Sequence, residues 1–277
     1  MWGLKMKKLL IVILILILSL TLIGCGDSTP EGMVLVEAGT TSQDNGEITI
    51  EEDFYIGKYH VTQEEFESVM GFNPSEFSGG SDLPVESVTW YDTIKYSNLL
   101  SEADDLEKYY QISDIEYDGD NIISATVEEN KEANGYRLAT ATEHEYAARG
   151  GKDGEATVYA GSDNLDEVGW YWRNSGDQYL ESEWDYDELI ENDSRTNPVG
   201  EKASNELGIY DMSGNVWDWT NTKDDSNRLV RGGGWFNDAD SCEVALSESD
   251  EPSLVGSVLG FRIYKPKQGF QFLGFKL

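Results

Sequence analysis

Hydrophobic residues in this chain fall first into one long stretch and then into short, separated runs. Leu9 to Ile23 is apolar except for Ser19 and Thr21, and at 15 residues it is shorter than the roughly 20 that span hydrocarbon comfortably. Residues 26–32 are polar and rich in turn formers, the pattern of a flexible tether. From Met33 the pattern changes. Met33-Val34-Leu35-Val36 predicts a short strand, and Phe54 to Tyr59 predicts another with inward and outward alternation. Thr62-Gln63-Glu64-Glu65 is a capping box, predicting a helix that carries Phe66 and Met70. A second helix is predicted over Trp90 to Leu100, with Trp90, Tyr91 and Ile94 on one face. Thr140 to Glu143 is another capping box, and its helix should run to a stop at Gly150-Gly151. Beyond it, Gly, Asn, Asp and Trp occur in short stretches with few helical signals and no internal repeat. These features predict an α+β domain whose second half is dominated by loops pinned by aromatic clusters.

The N-terminus adds chemistry to the first apolar run. Lys5, Lys7 and Lys8 precede it, and it ends in Leu22-Ile23-Gly24-Cys25. That junction resembles the bacterial lipobox, in which cleavage leaves the cysteine as the acylated first residue. The resemblance implies a signal peptide over residues 1–24 and lipidation of Cys25. Residues 25–32 would then be a lipidated tether and 33–277 the folded domain. Two or more acyl chains give the stable anchorage that one chain does not. The alternatives are an uncleaved membrane anchor or an ordinary secretory peptide. The expected location is the bacterial cell envelope, lipid-anchored, on the outer membrane and exposed at the surface.

Charge and composition narrow the partners. The formal net charge is −33, and removal of residues 1–24 takes away three lysines and no acid. Nucleic acid and anionic headgroups repel such a chain, which excludes nucleic-acid binding. Eight tryptophans and fifteen tyrosines supply material for a packed core that a disordered acidic chain would lack. Cys25 and Cys242 are the only cysteines, so no disulfide framework exists.

Five ordered blocks then carry a family resemblance. They are Val85 to Asp92, Gly135-Tyr136-Arg137-Leu138 with Glu143 to Gly151, Asn197-Pro198-Val199-Gly200, Gly208 to Trp219, and Arg231 to Trp235 up to Gly260-Phe261-Arg262. In this order they resemble the formylglycine-generating-enzyme-like (sulfatase-modifying factor) domain from about Met33 to Tyr264. The resemblance implies a variant of the C-type lectin fold with a long irregular C-terminal half. Ala139 and His144 depart from the proline and tryptophan usual in the family. The family's oxidases bind copper through two cysteines near the C-terminal end, and only Cys242 lies there. Cu(I) favours soft thiolates, and one thiolate cannot reproduce that site. Related sulfoxide synthases use three histidines on iron, whereas this chain has only His60 and His144, each expected at the surface or in packing. No copper, no iron and no enzymatic activity are therefore expected.

The family's calcium turn falls on Asp211, Gly214, Val216 and Asp218, which implies a structural Ca²⁺. The alternative is that Asp211 and Asp218 cap turns while Trp217 and Trp219 pack the core. From Phe236 to Leu259, polar and bulky apolar types mix without helix or strand period. Many are types reachable when the adenines of asparagine codons are replaced, and lysine is absent between Lys223 and Lys265. In this the chain resembles the variable lipoproteins of diversity-generating retroelements, whose variable region would span about 235–262 here. The resemblance implies a ligand-binding face at Phe236, Asp238, Asp240, Ser241, Ser247, Ser249, Asp250, Val255, Ser257 and Val258. The expected partner is a variable ligand, a protein first of all. An undiversified surface loop is the alternative. Trp170, Tyr171 and Trp172 could line a sugar site, with core packing as the competing reading. Two other classes stay open for the whole chain: a formylglycine-enzyme-like oxidoreductase using Cys242, and a structural envelope protein.

Overall fold

Thr62, Thr89 and Thr140 each start a helix in the same way. In the computed structural model, which describes residues 29–43 and 46–267, each threonine side chain accepts from the backbone N–H three residues on. The residue there, Glu65, Asp92 or Glu143, reaches back to the threonine backbone N–H. These capping boxes satisfy N–H groups that a helix start leaves open. They begin α1 (Gln63–Met70), α2 (Trp90–Ala103) and α3 (Ala141–Ala148). The first ends on left-handed Gly71, and left-handed Gly150 and Gly151 follow Arg149 at the end of the third. Trp90 and Ile94 are buried, but Tyr91 lies only partly within that face. The predicted signal peptide and Cys25 lie outside the described residues. The compact unit begins at Glu31, and the Gly32 carbonyl already accepts from Lys58 N at 2.9 Å. The last residues assigned to the tether therefore belong to the fold.

The first and last described strands meet in one sheet, ordered β1 (Met33–Val36), β4 (Phe54–Gly57) and β11 (Tyr264–Pro266), all antiparallel. The central strand is buried at all four positions rather than alternating, because both its faces are covered. β2 (Gly39–Gln43) and β3 (Gly46–Ile50) form a hairpin, as do β5 (Tyr110–Asp118) and β6 (Asn121–Glu129).

The second half is less irregular than its sequence predicts. A four-stranded sheet runs in the order β10 (Leu259–Gly260), β7 (Trp217–Asp224), β8 (Asn227–Arg231), β9 (Ser247–Asp250). Two short helices, α4 (Leu165–Val168) and α5 (Tyr186–Glu191), precede it. The main core joins this sheet to the first helices through Phe66, Trp90, Tyr96, Trp219 and Phe261. Two indoles lock that junction in opposite directions. Trp90 Nε1 donates to the Thr220 carbonyl, and Trp219 Nε1 donates to the Val88 carbonyl, both at 3.0 Å. Each buried indole thus finds an acceptor for its polar end.

Candidate functional site

The segment from Phe236 to Val258 is held mainly through its own backbone. Trp184 Nε1 donates to the Phe236 carbonyl at 2.7 Å, Ser213 Oγ to that of Cys242 at 2.9 Å, and Trp235 Nε1 to that of Ser257 at 2.9 Å. Arg231 Nη1 donates to the Val244 and Leu246 carbonyls. Backbone N–H groups of Trp172, Trp90, Ser87 and Trp217 reach the carbonyls of Asn237, Pro252, Gly256 and Val258. One side chain in the segment is itself an anchor. Asn237 Oδ1 accepts from Trp217 Nε1 at 2.8 Å and from Gly234 N at 3.0 Å. At Gly233, φ is +78° and an added Cβ would lie 2.5 Å from Cys242 Sγ, so only glycine lets the strand exit press against the buried thiol.

All ten predicted contact positions retain solvent exposure, but to different degrees. Asp238, Asp240 and Val255 are exposed, whereas Phe236, Ser241, Ser247, Ser249, Asp250, Ser257 and Val258 are half-buried. Asp238 Oδ1 accepts from Ser241 N and Oγ, tying those two together. Phe236 and Val258 pack partly against core clusters. The aperiodic loop expected here contains a 3₁₀ turn at Asp240–Cys242 and the edge strand β9. β9 pairs Ser247 with Arg231, Ser249 with Leu229 and Asp250 with Arg228. Side chains alternate along a strand, so Ser247 and Ser249 share one face while Asp250 points to the other. The ten positions therefore wrap an edge and do not converge on one spot.

The calcium turn and both histidines meet in the interior. Asp218 is the second residue of β7, opposite Arg231 and beside Gly260. Its Oδ2 accepts from Arg262 Nε at 2.7 Å and lies 2.9 Å from His144 Nε2. His60 Nε2 stands 3.5 Å from the same oxygen. Arg262 Nη2 also donates to the Asp211 carbonyl at 3.0 Å, and Asp211 Oδ2 accepts from Gly200 N at 2.7 Å. Burial opposes ionisation of Asp218, but Arg262, His60 and His144 hold its carboxyl well below the usual carboxylate range. Burial pushes Asp211 upward against the pull of His60, the Gly200 N–H and Arg262. His60 and His144 are thus buried partners of a carboxylate, and neither is a surface residue.

This arrangement does not fit calcium. Asp211 Oδ1 and Asp218 Oδ1 are buried without hydrogen-bond partners, which a hard cation could answer. Yet Ca²⁺ needs six to eight oxygens around it, and here a guanidinium and an imidazole crowd the Asp218 carboxylate. The guanidinium also holds the Asp211 carbonyl. Arg262 supplies the positive charge that the metal would bring. Among the described residues, no group of three or more His, Cys, Asp or Glu assembles as a metal site.

Cys242 is fully buried in a cluster with Tyr159, Leu165, Tyr171, Trp172 and Leu189. Burial pushes its thiol far up, which opposes the thiolate that metal binding and nucleophilic chemistry require. Tyr171 and Trp172 belong to the same core, while Trp170 carries Lys202 Nζ 4.0 Å above its ring. Packing accounts for Tyr171 and Trp172. Sequence reasoning missed the anchoring role of Asn237 and the assembly of the two histidines on Asp218. The Gly-Phe-Arg block did point to Arg262.

A lectin-type scaffold with a backbone-pinned C-terminal segment defines a class before it defines an individual. Residues 24–267 match the sulfatase-modifying factor enzyme 1-like domain, and the chain belongs to that family. It is 41% identical over 283 residues to the chaperone protein LppX of Paenibacillus barcinonensis, covering 95% of this chain and all of that one. Treponema denticola variable protein 1 superposes with a TM-score of 0.65 at 28% identity, over 85% of this chain and 95% of that one. CarF does so with a TM-score of 0.66 at 25% identity, over 87% and 100%. The α+β, C-type lectin-like fold of the formylglycine-generating-enzyme type is that of these neighbours.

Proposed function

We propose that this protein is a non-catalytic envelope lipoprotein that recognises polypeptide ligands through the face built from Phe236 to Val258. One observation carries the reading: the surrounding framework grips the segment's carbonyls and leaves Asp238, Asp240 and Val255 exposed, with the other seven predicted residues half-buried. A binding surface needs chemically varied side chains on a rigid support, so that changing them does not unfold the support. Likeness to a variable protein supports diversification of these positions. Sequencing this locus and its flanking DNA across clonal lineages tests it. Changes concentrated at the ten positions, at template adenines beside a reverse-transcriptase gene, are expected. A segment as fixed as the rest of the chain would remove diversification from the proposal.

The absence of catalysis is supported by the buried, upshifted thiol of Cys242, the one cysteine among the described residues. Tight stoichiometric Cu(I) uptake with oxygen consumption would overturn it. A second reading draws on the chaperone relative: the same face holds exported polypeptides while they fold. It predicts that the purified chain suppresses aggregation of a chemically denatured substrate protein, and equal aggregation with and without the chain would reject it.

A further inference from the structure

Beside the pinned segment, the stretch from Tyr179 to Ile190 carries exposed apolar side chains that the proposed binding face does not use. Tyr179, Trp184, Tyr186 and Ile190 are 49%, 46%, 56% and 57% exposed. Their exposure does not come from a loose loop. Leu180 and Leu189 anchor the stretch in the Cys242 core. Asn192 closes its base, accepting from Gln178 N at 3.0 Å and donating to the Gln178 carbonyl at 2.9 Å. Trp184 spends its one polar atom on the Phe236 carbonyl, so the exposed remainder of the side chain is apolar. Tyr186 and Ile190 sit one helical turn apart on α5, next to buried Leu189. Exposed aromatics held on a rigid base mark a protein contact site.

Charge selects the partner. Residues 174–194 contain eight acidic residues and no Lys or Arg; Arg195, just beyond, pairs with Asp193 and leaves the other seven acids in excess. We infer that the Tyr179–Ile190 stretch is a docking surface for a Lys- or Arg-rich polypeptide segment. Its cationic side chains would lie over Trp184 and Tyr186 while the acids around them supply the counter-charge. An aromatic face attracts a cation through its quadrupole, and complementary charge speeds encounter and fixes register. Half-exposed side chains enclose a ligand only when the ligand brings the opposing wall, which a polypeptide does and a small cation does not. The inference does not rest on diversification of Phe236 to Val258 and stands whether or not those positions vary.

A labelled nona-arginine peptide, titrated against the full chain in detergent at near-physiological ionic strength, tests it. Tyr186→Ala/Ile190→Ala keeps every charge and leaves Trp184 on the Phe236 carbonyl, and should weaken binding about tenfold or more. Tyr186→Ala alone, at a side chain more than half exposed, should weaken it by a smaller measurable factor with little change in melting temperature. Affinity that ignores both variants would mean attraction by net charge alone and would overturn the proposal, as would undetectable binding by the unmodified chain.

Discussion

Arg262 Nε donates to Asp218 Oδ2 at 2.7 Å, with both side chains shut off from solvent. Removing one partner of a buried pair leaves the other charge uncompensated, at a cost of about 3–5 kcal/mol. Asp218→Asn should therefore destabilise the domain by that order in urea unfolding. Asp218→Asn combined with Arg262→Met should cost less than the two single changes added together, because the stranded charge disappears with its carrier.

His144 should make the fold sensitive to mild acid. Burial pushes its imidazole below the ordinary value, against the pull of Asp218. The unfolded chain then takes up a proton first as pH falls. Stability is complete above the unfolded value of about 6.5 and is lost as pH drops toward the lower folded value, at up to about 1.4 kcal/mol per unit. Burial raises Glu86 and Asp92, and these carboxyls work in the opposite direction at lower pH. The expected result is a difference: His144→Gln should lose less stability than wild type between pH 7 and pH 5 in parallel urea titrations.

Calcium should leave the melting temperature where it is. With Arg262 and His144 already on the Asp218 carboxylate, neither EDTA nor millimolar Ca²⁺ is expected to shift it. A ligand present at 100 times its dissociation constant stabilises by about 2.7 kcal/mol. A calcium-dependent rise of several degrees would therefore restore Asp211, Gly214, Val216 and Asp218 as a metal site.

Substitutions in the pinned segment should separate into two groups. Asp240 and Val255 are exposed, and replacing them should change stability by no more than about 0.5 kcal/mol. Replacing Asp238 breaks its bonds to Ser241 N and Oγ and belongs with the costlier group, at about 0.5–1.5 kcal/mol per bond. Asn237→Ala leaves Trp217 Nε1 and Gly234 N without their acceptor, a loss of about 1–3 kcal/mol for each donor left unsatisfied. Thermal melts of the four single variants decide this.

The parts legible in the sequence were those written locally. Capping boxes at Thr62 and Thr140 placed two helices because their signal lies within four residues. The box at Thr89 has the same form and went unread, since Asp92 stands where Glu or Gln is usual. The β5–β6 hairpin is not among the predicted elements although its signal is local: Ile112, Val127 and their neighbours alternate with polar residues, and Asp118 pairs with Asn121 across the two-residue Gly119-Asp120 turn. β9 carries no such signal. Ser247-Glu248-Ser249-Asp250 contains no strand former, and its extended shape is imposed by pairing with β8. The family blocks placed the segment ends and Arg262. The joining of His60 and His144 at one carboxylate depends on three distant stretches folding together, which local pattern does not encode.

A framework that recognises a segment by its carbonyls is blind to what the side chains say. Versions of this protein differing only at solvent-exposed positions of the segment, Asp240 and Val255 among them, would share one melting temperature and one rate of clearance by proteases. Abundance of a protein in the cell follows its stability, so a population carrying many versions would present each at a similar copy number. Selection could then act on what each version binds, undistorted by how well each one survives.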